Sequence, residues 1–271
     1  FTPNCTHRKS SDKYKEEKED KPKVRSSALV ADKPFVKETK LKEGITPEKA
    51  EEIKEFTDFD STGFRGITKE TNKFFGVRYG YDDQGQIEEV YYPITRDNEL
   101  AGYKVRQIPK AFSAIGATGN DCDLFGAFRF RSGGKYVLIV EGEHDALAAY
   151  QMFKDYSESK GSTFVTAVVS ITTGAGNPTK QLQGNYDFLN SFENIIIGFD
   201  NDEAGQGAVE KIVNCLPKGK VKLAKWTKYK DANKYLEEND AQRFLNDFYN
   251  AKPYIPAGVV ASSDLYQKIL D

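Results

Sequence analysis

The sequence predicts an α/β protein: a central parallel sheet flanked by helices, preceded by a smaller α+β subdomain with an antiparallel meander. Three observations predict it. In the second half, the apolar runs "KYVLIV", "FVTAVVSI", "NIIIGF" and "GKVKLAKW" alternate with helix-favouring stretches, as the strands of a parallel sheet do. Those runs are apolar throughout rather than at every second residue, which fits strands covered on both faces. In the first half, aromatic and β-branched runs are separated by Asp-Asp-Gln-Gly and Asp-Asn turns, the pattern of consecutive hairpins.

Residues 1–43 are rich in Lys and Glu; "SSDKYKEEKEDKPKVRSS" has no face to bury and reads as a flexible charged linker. Order begins at "GITPEKAEEIKEF", where Thr46 caps a helix and Pro47 takes its first position, at which a missing N–H costs nothing. "TKETNKFFG" is a second short helix, capped by Thr68 and stopped by Gly76. "VRYGYDDQGQ", "EEVYYPITRDNE" and "AGYKVRQIP" form the meander, and this unit spans residues 44–131. The second unit, 132–250, starts with strand 135–140 and the helix "EGEHDALAAYQMF". Strand 164–171 leads into a glycine-rich loop, "GAGNPTK" (174–180), and strand 194–199 into the helix "DEAGQGAVEKIVNCL". Strand 219–226 leads into a single helix, "DANKYLEENDAQRFLNDFYN". Residues 251–271 read as a linker.

Composition narrows the function. The 271 residues suffice for one large or two small domains with a real core. No apolar run reaches the roughly 18 residues of a membrane span and no apolar leader opens the chain, so no membrane partner is expected and the location read is cytoplasmic. Three cysteines fit a reducing compartment better than a disulfide framework. His7 and His144 are the only histidines, too few for an ordinary closed zinc site within this chain. A net charge of -2 gives no global pull on nucleic acid. Binding needs a local patch, and Arg96, Lys104, Arg106, Lys110, Arg129, Arg131 and Lys135 supply one. Tyr103, Phe112, Phe128 and Phe130 are interleaved with them, as in a groove for a single strand.

Function in an open parallel sheet collects at the carboxyl ends of its strands, and acids recur there. The first strand runs into Glu141, Gly142, Glu143 and Asp145. The third runs into Asp200 and Asp202. Asp231 follows the fourth, in "KDAN". Crowded carboxylates raise one another's pKa unless a cation intervenes, and Mg²⁺ prefers such oxygens while keeping sites for phosphate. The expected centre is therefore a magnesium site for phosphoryl chemistry. Glu143 and Glu203 are explained better by the helix dipole alone. Gly142 is expected where backbone passes close to a ligand or metal. "GAGNPTK" lacks the spacing of a nucleotide-binding P-loop and reads as a loop lining the same rim. No Thr, Ser and Lys set of an aspartyl phosphatase surrounds "DNDEAG".

"VEGEHDALAA", "GFDNDEAG" and "KDAN", in this order, resemble the Toprim domain of topoisomerases and primases. With "GYKVRQIPKAF", "DLFGAFRF" and "FDNDEAGQGAVE", residues 60 to 270 resemble the primase half of T7-type bacteriophage primase–helicases. The resemblance implies a DNA primase that makes RNA primers on a single-stranded DNA template from ribonucleoside triphosphates. It implies Mg²⁺ or Mn²⁺ on Glu141, Asp200 and Asp202, with Asp145 and Asp231 supporting the catalytic rim. Lys104 and Lys110 would face the triphosphate or template, and Arg106 either one. Implied partners are the RNA primer, a helicase domain of the same polypeptide joined through "AKPYIPAGVV", and a replisome DNA polymerase. The family also carries a zinc ribbon ahead of this region, of which Cys5 would be the last ligand or else a free thiol. Two alternatives remain open: a metal-dependent Toprim nuclease, and a catalytically silent DNA-binding or helicase-loading module.

Overall fold

The computed structural model describes residues 42–173 and 178–255, apart from the side chains of Ala204 and Gln206. Most of the expected N-terminal linker, Cys5, residues 174–177 of the glycine-rich loop and residues 256–271 of the tail lie outside them.

Helix α1 (Pro47–Phe56) begins where Thr46 accepts a hydrogen bond from the Lys49 N–H, and α2 (Lys69–Phe75) where Thr68 accepts from Thr71. Gly76 ends α2 in the left-handed conformation, which costs a residue without Cβ nothing. An antiparallel sheet follows: β1 (Arg78–Tyr81), β2 (Ile87–Arg96), β3 (Glu99–Gln107) and β4 (Ala111–Gly116), in that spatial order. The Asp97–Asn98 turn between β2 and β3 has positive φ at both residues, the twist a tight hairpin needs. Successive β2 residues face opposite ways. Tyr91 joins Ile53 of α1, Tyr103 and Val105, whereas Val90 and Tyr92 enter the main core.

The second sheet comprises β5 (Gly134–Val140), β6 (Ala167–Ser170), β7 (Phe192–Gly198), β8 (Val221–Leu223) and β9 (Lys252–Pro253). Its order is β6-β5-β7-β8-β9, parallel except for β9. Burial on both faces explains the unbroken apolar runs. Leu138 and Val140 of β5, with Ile196 of β7, pack into the core that holds α3 (Glu143–Ser159), α7 (Ala232–Glu237) and α8 (Ala241–Tyr249). Val137, Ile139, Ile195 and Ile197 point the other way, toward α4 (Thr179–Gly184), α5 (Tyr186–Asn190) and α6 (Glu203–Val213). Each such aliphatic side chain taken fully from water stabilises by about 1.5–3 kcal/mol.

Polar contacts tie the segments on either side of the meander to α3 and β6. The Gln151 amide of α3 donates to the Gly66 carbonyl at 3.0 Å and accepts from the Thr68 N–H at 2.9 Å. Phe125 and Ser170 form a two-way backbone bridge.

Several expectations are corrected. The single helix over 231–250 is two, α7 and α8, because Asn239 turns back at φ 54°. The meander has a fourth strand, β4. The strands expected over 164–171 and 219–226 are shorter. The tail does not leave the domain at once, since Lys252 and Pro253 pair with β8.

Candidate active site

Strands β5, β7 and β8 lie side by side, so their carboxyl ends form one rim. Glu141 leaves β5 there, Asp200 and Asp202 leave β7, and Asp231 follows β8. Two of these acids also shape the backbone. Asp202 caps α6, its Oδ1 accepting from the Gly205 N–H at 2.8 Å, and Asp231 caps α7 through the Lys234 N–H at 2.8 Å. The Asn201 N–H donates to the Lys230 carbonyl at 2.9 Å, which ties the β7 loop to the β8 loop.

Two glycines let the rim close up. A Cβ on Gly205 would stand 2.3 Å from the Asp200 carbonyl oxygen, and one on Gly142 2.8 Å from Oδ2 of Asp145. The atom beside Gly142 is thus a carboxylate of the chain itself, where the sequence had suggested a ligand or metal.

The rim is electrostatically strained. Burial first, then Asp202, pushes the Glu141 carboxyl up, and Lys230 partly offsets this. Burial, then Glu141 and Asp231, pushes Asp200 up to about 7. Asp145, in the first turn of α3, is pushed up to about 8 by burial, then Asp231 and Asp200, although the Asn233 N–H donates to it at 3.0 Å. Glu141 Oε2 is buried with no hydrogen-bond partner. Five carboxylates from three stretches of chain therefore share one electrostatic neighbourhood.

A hard divalent cation would relieve this repulsion and engage the orphaned oxygen, and the all-oxygen donor set suits it. The rim is not a closed cage, however: among the described residues no three Asp, Glu, His or Cys side chains stand around one point. The donors fit the ion in kind.

The basic residues separate. Lys104 of β3 meets Glu143, with Nζ 2.8 Å from Oε1 and 3.1 Å from Oε2. Glu143 is buried in the first turn of α3, so a side chain explained by the helix dipole also holds an ion pair. Lys104 and Arg106 both face the exposed Phe112 ring, at 5.1 and 5.8 Å, and Lys110 is exposed in the β3–β4 turn. Arg96 pairs with Asp121, Arg129 stacks on Phe128, and Tyr103 is buried against α1. The stretch that reads as one patch in sequence is several places in space.

Lys230 and Arg65 were not singled out from the sequence. Lys230 Nζ lies 3.0 Å from Asp231, and its position directly before the acid in "KDAN" was the available signal. Arg65 contacts Asn233 through Nη1 and its carbonyl, from a part of the chain with no motif. His144 sits beside Tyr92, Nδ1 to hydroxyl 2.6 Å. Burial, then Arg65 and Arg106, holds its imidazole well below the usual range, so it is a neutral core residue.

A Toprim-like family profile matches residues 138–236, the stretch that contributes every rim acid. A primase fragment of the bacteriophage T7 primase–helicase superposes with a TM-score of 0.60 at 32% identity, over 70% of this chain and 74% of that one. The chain belongs to the T7-type Toprim primase family. A second chain, from an assembly of the T7 lagging-strand DNA polymerase with primase domains bound to an RNA/DNA hybrid and dTTP, gives a TM-score of 0.61 at 33% identity. It is matched over 91% of its length and 70% of this chain. The DNA helicase/primase of Enterobacteria phage T3 is 33% identical over 205 residues. The chain spans about a third of the length of that phage relative, 34%, and the match takes in 76% of this chain.

Proposed function

We propose that this primase-family chain makes RNA primers on single-stranded DNA by metal-dependent nucleotidyl transfer. The observation that carries the reading is the rim: burial first, then neighbouring rim carboxylates, raises the affinity of Glu141, Asp145 and Asp200 for positive charge where a family primase would react. Glu141, Asp200 and Asp202 would hold Mg²⁺ or Mn²⁺, while Asp145 and Asp231 would fix the loops that carry them. Bound there, the cation would activate the attacking hydroxyl and neutralise the departing pyrophosphate.

Lys104, Arg106 and Lys110 would receive the triphosphate or the template. Glu143 already holds Lys104, so an incoming phosphate competes with that carboxylate. A ribose 3′-oxygen forms a bond to the α-phosphorus as the bond to pyrophosphate breaks, and the hydroxyl proton passes to solvent. Residues 44–131 would supply the cationic wall and 132–250 the acidic rim. The RNA primer, a helicase domain of the same polypeptide and a replisome polymerase are the partners this role requires.

The test supplies single-stranded DNA, ribonucleoside triphosphates and Mg²⁺ to the intact protein and to this chain. Short RNA is expected, falling at least about 100-fold in Asp200→Asn, the scale of losing one electrostatic contact to the transition state. RNA unaffected by that change refutes the reading. Nicking of plasmid without nucleotides points instead to a nuclease.

A further inference from the structure

The amino ends of the central strands have the opposite character to the acidic rim. A cleft of about 380 Å³ opens between the start of β5 and the end of α3, lined in part by Tyr136, Tyr156, Phe164, Tyr249, Lys135 and Lys160. A hollow of about 120 Å³ shares Tyr136 and Phe164 and extends the cleft toward Arg131. The two make one groove. Phe164 is 61% exposed and Tyr249 51%, large rings whose faces the fold leaves in water. Lys135 stands 5.4 Å from the Tyr136 ring and Lys160 5.6 Å from the Tyr156 ring. Among the described residues, neither these lysines nor Arg131 pairs with an acid. The neighbouring Glu158 is taken by Lys154 at 3.3 Å. On a chain of net charge -2, this is a local cationic strip with aromatic faces.

We propose that this groove binds single-stranded DNA, holding template that continues past the acidic rim; the proposal rests on the primase reading. Rings stack on any base and lysines follow phosphates, so rings paired with cations suit a strand of bases and phosphates. From Tyr136 to Glu141 an extended chain at about 3.3 Å per residue spans roughly 17 Å. A nucleic acid that occupies both places must run on beyond the reacting end, which the template does and the growing primer end does not.

The test measures binding of labelled oligothymidylate, about 16 nucleotides long so as to reach past the groove, to the whole chain without nucleotides or metal. Primer synthesis does not enter, so failure of the primase reading and failure of the groove are read separately. Phe164→Ala combined with Lys160→Gln is expected to weaken binding about tenfold or more. Lys135→Gln with Lys160→Gln is expected to reduce the slope of log affinity against log salt by about 1.4. Melting temperature checks that the variants fold, and Phe164 and both lysines are surface side chains whose loss leaves the core intact. The proposal is overturned by no binding to the parent chain, or by unchanged affinity and salt slope, the result if a protein occupies the groove. It is also overturned if the loss appears with oligouridylate and not with oligothymidylate.

Discussion

A methyl group at Gly205 has no room. It would meet the Asp200 carbonyl oxygen at 2.3 Å, and the backbone there cannot move without moving Asp200. Gly205→Ala is therefore expected to cost about 1–3 kcal/mol of stability, as overpacking does, and to reduce primer synthesis more than the melting shift explains. Melting and activity measured on the same preparation check this. The rim acids also give the metal-free protein a pH dependence of definite sign. Asp145 and Asp200 keep their protons up to about 8 and about 7 when folded, whereas an unfolded aspartate releases its proton near about 3.9. The folded state thus binds more protons between those values, and stability falls as pH rises through them. In chelator, the melting temperature should drop between about pH 5 and pH 8.5, and Asp145→Asn should remove much of that slope. A variant that melts with the parent's slope contradicts the assignment.

At the scale of elements, Asn239 separates α7 from α8 by adopting φ 54°, a region costing an ordinary L-residue about 1–2 kcal/mol. Asn239→Ala should destabilise by about 1 kcal/mol and Asn239→Gly should be near neutral, measured by denaturant titration. A continuous helix would give the reverse order, since alanine is the better helix former. That break was only weakly legible in "DANKYLEENDAQRFLNDFYN": helix formers flank it on both sides, and its signal is the pair Asn239-Asp240, which suits a left-handed end and the next helix cap. Strand β4 was missed for a different reason: "AFSAIG" is largely exposed and shows no alternation of buried and solvated positions. The strands of the central sheet were legible because burial on both faces demands unbroken apolar runs. The rim acids were legible because they follow those runs directly. Arg65 and the partnering of Lys104 with Glu143 were not, since each depends on which segments meet in space, whereas Lys230 was signalled by its place beside Asp231.

The whole molecule joins an antiparallel sheet to a largely parallel one, and the Lys104–Glu143 pair ties the first to α3 of the second. Glu143 is 5% exposed, so removing Lys104 leaves a buried charge without its partner. Breaking a fully buried pair costs about 3–5 kcal/mol, and the partial exposure of Lys104 reduces this to about 1–3 kcal/mol. Lys104→Met should show that loss, and Lys104→Met with Glu143→Gln should recover most of it without recovering primer synthesis. Recovery of both would place Lys104 outside the substrate path. Nucleotidyl transfer at the rim depends on acids from separate strands gripping one cation. The most direct measurement is anomalous diffraction from crystals of this chain soaked in Mn²⁺. The account predicts a peak bound by oxygens of Glu141, Asp200 and Asp202, lost in Glu141→Gln. Ordered crystals with no peak at the rim, or with these three side chains turned apart into solvent, would contradict it.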